Sequence, residues 1–172
     1  MKRIIYMVFM NLFHAPVWLL KIARMARPGD NHTMQQRYDY IAEMTRRIIK
    51  RGRVTIKVTG VEHIPEKDGF MLFPNHQGLF DVLALFSTCP KALSVVIKKE
   101  ASGWILVKQV LGATGSLAMD RKDMKDQVRI IGEVTRLVKE GRNFVIFAEG
   151  HRSRKGNEIL DFKSGTFKSA VK

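Results

Sequence analysis

The sequence predicts an α/β fold: a sandwich of a mixed, largely buried sheet flanked by helices, with an N-terminal membrane-associated helical segment. Three observations carry this reading. After Gly52, short β-branched or apolar runs alternate with longer runs of helical period. Residues 4 to 20 contain no charged side chain. The chain has 172 residues and 45% hydrophobic residues, enough for one domain with a real core.

The N-terminal part comes first. The stretch IIYMVFMNLFHAPVWLL, residues 4 to 20, carries Tyr6 and Trp18, residue types suited to a headgroup boundary. It falls short of the roughly 20 residues a spanning helix needs, and Asn11, His14 and Pro16 interrupt it. A shallow or re-entrant membrane helix is favoured over a full span. A core helix and a signal peptide stay open, the latter opposed by the cations Lys21, Arg24 and Arg27. Met34, Tyr38, Ile41, Met44 and Ile48 then recur at helical spacing, ending in the cluster Arg46, Arg47, Lys50, Arg51 and Arg53. Beside an oily segment, this basic amphipathic helix reads as a surface for anionic lipid; alone it would be an ordinary helix packed on its domain. Residues 1–52 are therefore assigned to a membrane-associated segment and 53–172 to the α/β domain.

Within that domain RVTIKVTG, residues 53 to 60, alternates like a strand. GFMLF (69 to 73), ALSVVI (92 to 97), SLAM (116 to 119) and NFVIFAEG (143 to 150) supply further strands. Residues 79 to 88, 102 to 112 and 124 to 141 supply helices, the last with Val128, Ile131, Val134, Thr135 and Val138 on one stripe. Gly112 and Gly141 close two of them.

Thirty Lys and Arg against 16 Asp and Glu leave a net charge of +14, which calls for a polyanionic partner. No aromatic stacking platform, helix-turn-helix or zinc pattern accompanies the charge, so nucleic acid is disfavoured. The single cysteine, Cys89, excludes an intramolecular disulfide and fits a reducing compartment.

Chemistry in such folds gathers in loops just past strand ends. Asn75 and His76, Asp120 and Arg121, and Glu149 and Arg152 all fall there. Asp81 is the one polar residue of LFDVLALF, and burying an unpaired carboxylate costs several kcal/mol, so it needs a partner. His76 is the nearest. Five residues turn a helix about 140° past a full circle, so His76 must precede the helix while Asp81 reaches back from its first turns. Aspartate on one imidazole nitrogen leaves the other to take a proton from a hydroxyl. This is a Ser-His-Asp arrangement without its serine, and a substrate alcohol could supply the nucleophile. An HxxxxD pair alone is weak, since many His–Asp pairs are structural.

The wider pattern is more specific. NHQGLFD (75 to 81) resembles the NHxxxxD block of the glycerolipid acyltransferases, particularly the 1-acylglycerol-3-phosphate (lysophosphatidic acid) acyltransferases. GSLAMDR (115 to 121), FAEGHRS (147 to 153) and FKSG (162 to 165) resemble their later blocks, in the same order. The resemblance implies transfer of an acyl group from a thioester of coenzyme A or acyl carrier protein to the free hydroxyl of lysophosphatidic acid, giving phosphatidic acid. It implies His76 as general base and Asp81 as its orienting partner. Asn75 shares the first block. Arg121 and Arg152, with Lys163, suit the substrate phosphate, and Glu149 and Gly150 match a block implicated in holding the acceptor. Neither metal nor cofactor is implied. The cytoplasmic face of a bacterial-type inner membrane is the expected location.

Two departures stand out. His151 occupies the place of the family's threonine in FPEGTRS, which bears on head-group preference. The family domain continues past FKxG into a further strand, so the chain is expected to lack the C-terminal part. The rival readings are an acyltransferase acting on another lysophospholipid or a lipid A precursor, and a non-catalytic protein of the same fold that binds anionic membranes.

Overall fold

A computed structural model describes residues 2–153 and 158–171. Four strands form one sheet: β1 (Met71–Leu72), β2 (Leu93–Lys98), β3 (Leu117–Met119) and β4 (Asn143–Val145), ordered β1-β4-β2-β3. Every pairing is parallel, where the sequence reading expected a mixed sheet. The reason lies in the connections. A helix follows each of the first three strands: α4 (Phe80–Thr88), α5 (Ile105–Thr114) and α6 (Met124–Lys139). Each carries the chain back to the starting edge, as parallel pairing requires.

Strand side chains alternate between two layers. Leu93, Val95, Val145 and Phe147 point into one core with helices α2 (Ala15–Met25), α3 (Met34–Arg51), α4 and α5. Val96, Phe144 and Ile146 meet Ile130, Val134 and Leu137 of α6 on the other face. A sheet covered on both faces reads as continuous apolar runs rather than alternation, as ALSVVI and NFVIF do. The α6 stripe is rotated from the expected one: Ile130, Val134 and Leu137 are buried, while Val128 stands exposed.

Residues 53 to 60, expected as the first strand, belong to no strand. They run along α3 and the end of α4, beside an open groove lined by Arg46, Lys50, Val54, Ile56 and Thr88. An alternating pattern makes a strand only where a ladder partner lies alongside, and the described residues place none there.

The N-terminal helices are built into this core. Helix α3 starts with a capping box, Thr33 Oγ1 accepting from the Gln36 N–H and Gln36 Oε1 from the Thr33 N–H. Tyr38, Ile41 and Met44, the stripe the sequence offered to lipid, lie buried among Phe86, Leu93 and Val95. Hydrophobic burial of about 1.5–3 kcal/mol per large side chain favours the core over an uncertain bilayer contact.

Helices α1 (Lys2–Asn11) and α2 meet at a bend of 81°, with Pro16 in the first turn of α2. At 10 and 11 residues they reach about 15 Å each, half the ~30 Å of a bilayer core. No single helix among the described residues is long and apolar enough to cross a membrane. Their inner face carries Met7, Asn11, Trp18 and Ile22; Trp18, expected at a headgroup boundary, is 8% exposed. Their outer face carries Ile5, Phe9, Phe13, Val17 and Leu20, with Phe13 87% exposed. Of the polar residues that interrupt the oily stretch, Asn11 turns inward and His14 stays exposed, and one arginine meets both. Arg51 of α3 donates to Asn11 Oδ1 at 3.2 Å, meets His14 Nε2 at 2.9 Å and lies over the Trp18 ring.

Candidate active site

Strand β1 ends at Leu72, and Pro74 and Asn75 lead to His76, just ahead of α4. Asp81, in the first turn of α4, reaches back as its spacing demands. Its Oδ2 lies 2.8 Å from His76 Nδ1 and accepts the main-chain N–H groups of Gln77 (2.8 Å) and Gly78 (3.0 Å). A carboxylate only accepts, so Nδ1 carries the proton, and in the neutral ring Nε2 presents its lone pair. Nε2 has no partner among the described residues. The ring lies over Phe147, centroids 4.1 Å apart, and the side chain is 13% exposed: reachable, but held.

The loop after β4 grips His76 from below. Glu149, 0% exposed, accepts the His76 N–H at Oε1 (2.7 Å) and the Leu160 N–H at Oε2 (3.2 Å). The Ser153 N–H donates to the His76 carbonyl at 2.8 Å. The resemblance gives Glu149 a place on the acceptor; here both its oxygens serve main-chain donors, because a buried carboxylate must be hydrogen-bonded. Gly150 has φ +73°, a left-handed turn that a side chain resists. A Cβ there would come within 3.0 Å of Lys163 Cε, so the position accommodates Lys163.

The loop after β3 brings Arg121, whose Nη1 donates to the Gly150 carbonyl. Burial holds the Arg121 guanidinium below its usual range; Glu100 opposes this and nearby Arg152 adds to it. A bound anion would offset both burial and the like charge. Asp120 turns away, accepting the Lys122 N–H and pairing with Lys99 at 3.3 Å. Arg152 is exposed and makes no hydrogen bond or ion pair among the described residues, and Asn75 is exposed.

One chain of contacts thus runs from Asp81 through His76, Glu149 and Gly150 to Arg121 and Lys163. Of the residues singled out in the sequence, Asn75, Asp120 and Arg152 stand outside it. Sequence reasoning missed Phe147 beneath the imidazole and the main-chain donors of Ser153 and Leu160. The strand period could have placed Phe147; no side-chain signal marks the other two. The arrangement offers a proton acceptor at Nε2 beside a group of cations. No set of three His, Cys, Asp or Glu side chains gathers as metal ligands among the described residues.

The acyltransferase family model matches residues 55–172. The chain belongs to the acyltransferase family. Among the curated family members it resembles are 1-acyl-sn-glycerol-3-phosphate acyltransferases. The one from Borreliella burgdorferi is 29% identical over 119 residues, 69% of this chain and 47% of that protein. The one from Helicobacter pylori is 33% identical over 91 residues, 53% of this chain and 38% of that protein. The human alpha form is 27% identical over 119 residues, 69% of this chain and 42% of that protein. The chain thus spans under half the length of these relatives. Among solved structures, the 1-acyl-sn-glycerophosphate acyltransferase PlsC from Thermotoga maritima shares the fold with a TM-score of 0.73 at 20% identity. The match covers 99% of this chain and 69% of that one.

Proposed function

We propose that the chain transfers an acyl group from a thioester to the free hydroxyl of 1-acylglycerol 3-phosphate, forming phosphatidic acid for phospholipid synthesis. One observation supports this above the others: the imidazole held by Asp81, with Nε2 free, shares a loop cluster with the cations Arg121 and Lys163. Nε2 takes the hydroxyl proton as the oxygen attacks the thioester carbonyl. The C–S bond then breaks, and the imidazolium returns the proton to the leaving thiolate. A positioned base of this kind contributes about 10² to 10⁴ in rate. Arg121, Arg152 and Lys163 hold the phosphate, Arg121 donating in a planar fork suited to its oxygens. The donor is acyl-CoA or acyl-ACP.

In this reading the enzyme works at the cytoplasmic face of an anionic membrane. The bent α1–α2 pair lies in one leaflet, its outer face of Ile5, Phe9, Phe13 and Leu20 in the acyl region. His151, in place of the family's threonine, favours a second reading in which another lysophospholipid is the acceptor.

The test is acyl transfer from acyl-CoA and from acyl-ACP to a panel of lysolipids in mixed micelles. It uses this chain, a His76→Ala variant and a version extended to the length of the relatives. Turnover with lysophosphatidic acid that His76→Ala abolishes upholds the proposal. A preference for another acceptor moves it to the second reading. A folded, extended protein silent with every acceptor overturns both.

A further inference from the structure

Apart from the α1–α2 pair, a second group of large apolar side chains stands uncovered, at the carboxyl edge of the sheet. Trp104, Ile105 and Leu106 open α5, 57%, 72% and 41% exposed. Met124 and Val128, 70% and 67% exposed, occupy one face at the start of α6. Helices α5 and α6 lie on opposite faces of the sheet, yet both follow adjacent parallel strands, β2 and β3. Their first turns therefore emerge from one edge. The Lys99–Asp120 ion pair ties the two loops together there.

These side chains are not stragglers from the core. Each helix buries a different stripe, Ala113 and Thr114 in α5 and Ile130, Val134 and Leu137 in α6. Exposed tryptophan and isoleucine side by side are uncommon on a soluble surface and mark contact sites. The polar neighbours say what kind of contact. Lys108, Lys122 and Lys125 are exposed and have no ion pair among the described residues. The acidic residues in these loops are engaged: Glu100 with Lys98, Asp120 with Lys99, Asp126 with Arg129, and Asp123 as the cap of α6. An aromatic–aliphatic cluster ringed by free lysines is complementary to an anionic phospholipid surface. Packing supports continuity with the anchor, since α2 lies directly on α5, with Ala26 against Gly112.

We propose that Trp104, Ile105, Leu106, Met124 and Val128 form a second bilayer contact, ringed by Lys108, Lys122 and Lys125, at the edge of the sheet that carries His76. The molecule then stands on the leaflet at two places, the α1–α2 face and this edge. The catalytic loops face the headgroups, and a lysolipid can reach His76 without leaving the membrane.

The chain has two tryptophans, and Trp18 is buried while Trp104 is exposed. The protein with Trp18→Phe makes Trp104 the sole reporter; Trp104→Phe is its complement. Each is reconstituted with phosphatidylcholine vesicles, with and without phosphatidylglycerol, carrying acyl chains brominated at a shallow position. Trp104 emission is expected to shift blue and be quenched with phosphatidylglycerol present, the quenching being absent in the complement. Paired Trp104→Ser and Ile105→Ser changes are expected to weaken partitioning into anionic vesicles by about tenfold, as loss of interfacial apolar anchors does. Membrane-bound protein whose Trp104 stays unquenched overturns the proposal. So does a Trp104 that responds to added acyl carrier protein and not to vesicles. Neither readout involves acyl transfer, so failure here is distinct from failure of the enzymatic reading.

Discussion

The carboxylate of Glu149 accepts the main-chain N–H of His76 at 2.7 Å across 73 residues of sequence, and its second oxygen takes the N–H of Leu160. Two loops are thereby locked against the peptide that carries the imidazole. Glu149→Gln keeps the volume but sets an amide NH₂ against one of those donors. Because small misplacement of a catalytic group costs up to about 10²-fold, kcat should fall about 10- to 100-fold with little change in acceptor KM. The buried mismatch should cost about 1–3 kcal/mol, lowering Tm by several degrees. Steady-state kinetics and a thermal melt check both. A large rise in acceptor KM at unchanged kcat would instead place Glu149 on the substrate.

Asp81→Asn tests the tautomer. The amide can present its NH₂ to Nδ1, which then becomes the acceptor and leaves the proton on Nε2. Turnover should drop about 10²- to 10⁴-fold while the fold persists, since this is what a correctly protonated base is worth. Circular dichroism alongside the assay separates chemistry from unfolding.

Gly150→Ala meets two obstacles, the left-handed backbone and the Lys163 side chain. The backbone alone should cost about 1–2 kcal/mol. Adding Lys163→Ala opens space without altering φ. The double variant should therefore regain only part of the lost stability, and denaturant titration of all four proteins measures the coupling.

Acid should act on the loop between β3 and α6. Asp126 is held below the usual carboxylate range chiefly by accepting the Asp120 N–H, with Arg129 assisting. Asp120 is lowered by the Lys122 N–H and by Lys99. Depressed carboxylates stabilise above their unfolded value, near pH 4, and lose that contribution as pH falls through the folded values. Tm should stay level from neutrality to about pH 5 and fall below pH 4, with a shallower acid limb for Asp126→Asn.

Arg51→Ala should loosen the α1–α2 pair. It removes the donor to Oδ1 of the buried Asn11, at a cost of about 1–3 kcal/mol, and the contact with the exposed His14. Hydrogen exchange should quicken across residues 5 to 25 and not in α6. Uniform acceleration would mean that Arg51 supports the whole fold.

Much of this architecture was legible because local chemistry and global packing agree. Four apolar runs bounded by Gly, Pro or polar residues became β1 to β4, and the His76–Asp81 spacing alone required an imidazole ahead of a helix. The failures have a common cause. Residues 53 to 60 have strand periodicity but, among the described residues, no neighbour to pair with, and pairing is not written in the pattern of one segment. Tyr38, Ile41 and Met44 form an amphipathic stripe whose target, bilayer or core, depends on where α4 and β2 lie. The role of Glu149 was hidden for the same reason: its partners are main-chain donors, which no side-chain motif records.

The strand order has a bearing on biosynthesis. β4 is fourth along the chain but second in the sheet, between β1 and β2. A nascent chain can form the His76–Asp81 contact early, since those residues are five apart. It cannot close the sheet until the segment near residue 145 has left the ribosome and slipped between two strands already made. Such long-range parallel pairing is slow. Until then the imidazole has its aspartate but lacks the clamp beneath it, and the oily helices have no completed body to lie against. Folding of this protein should therefore finish late, with its apolar surfaces uncovered in the interval.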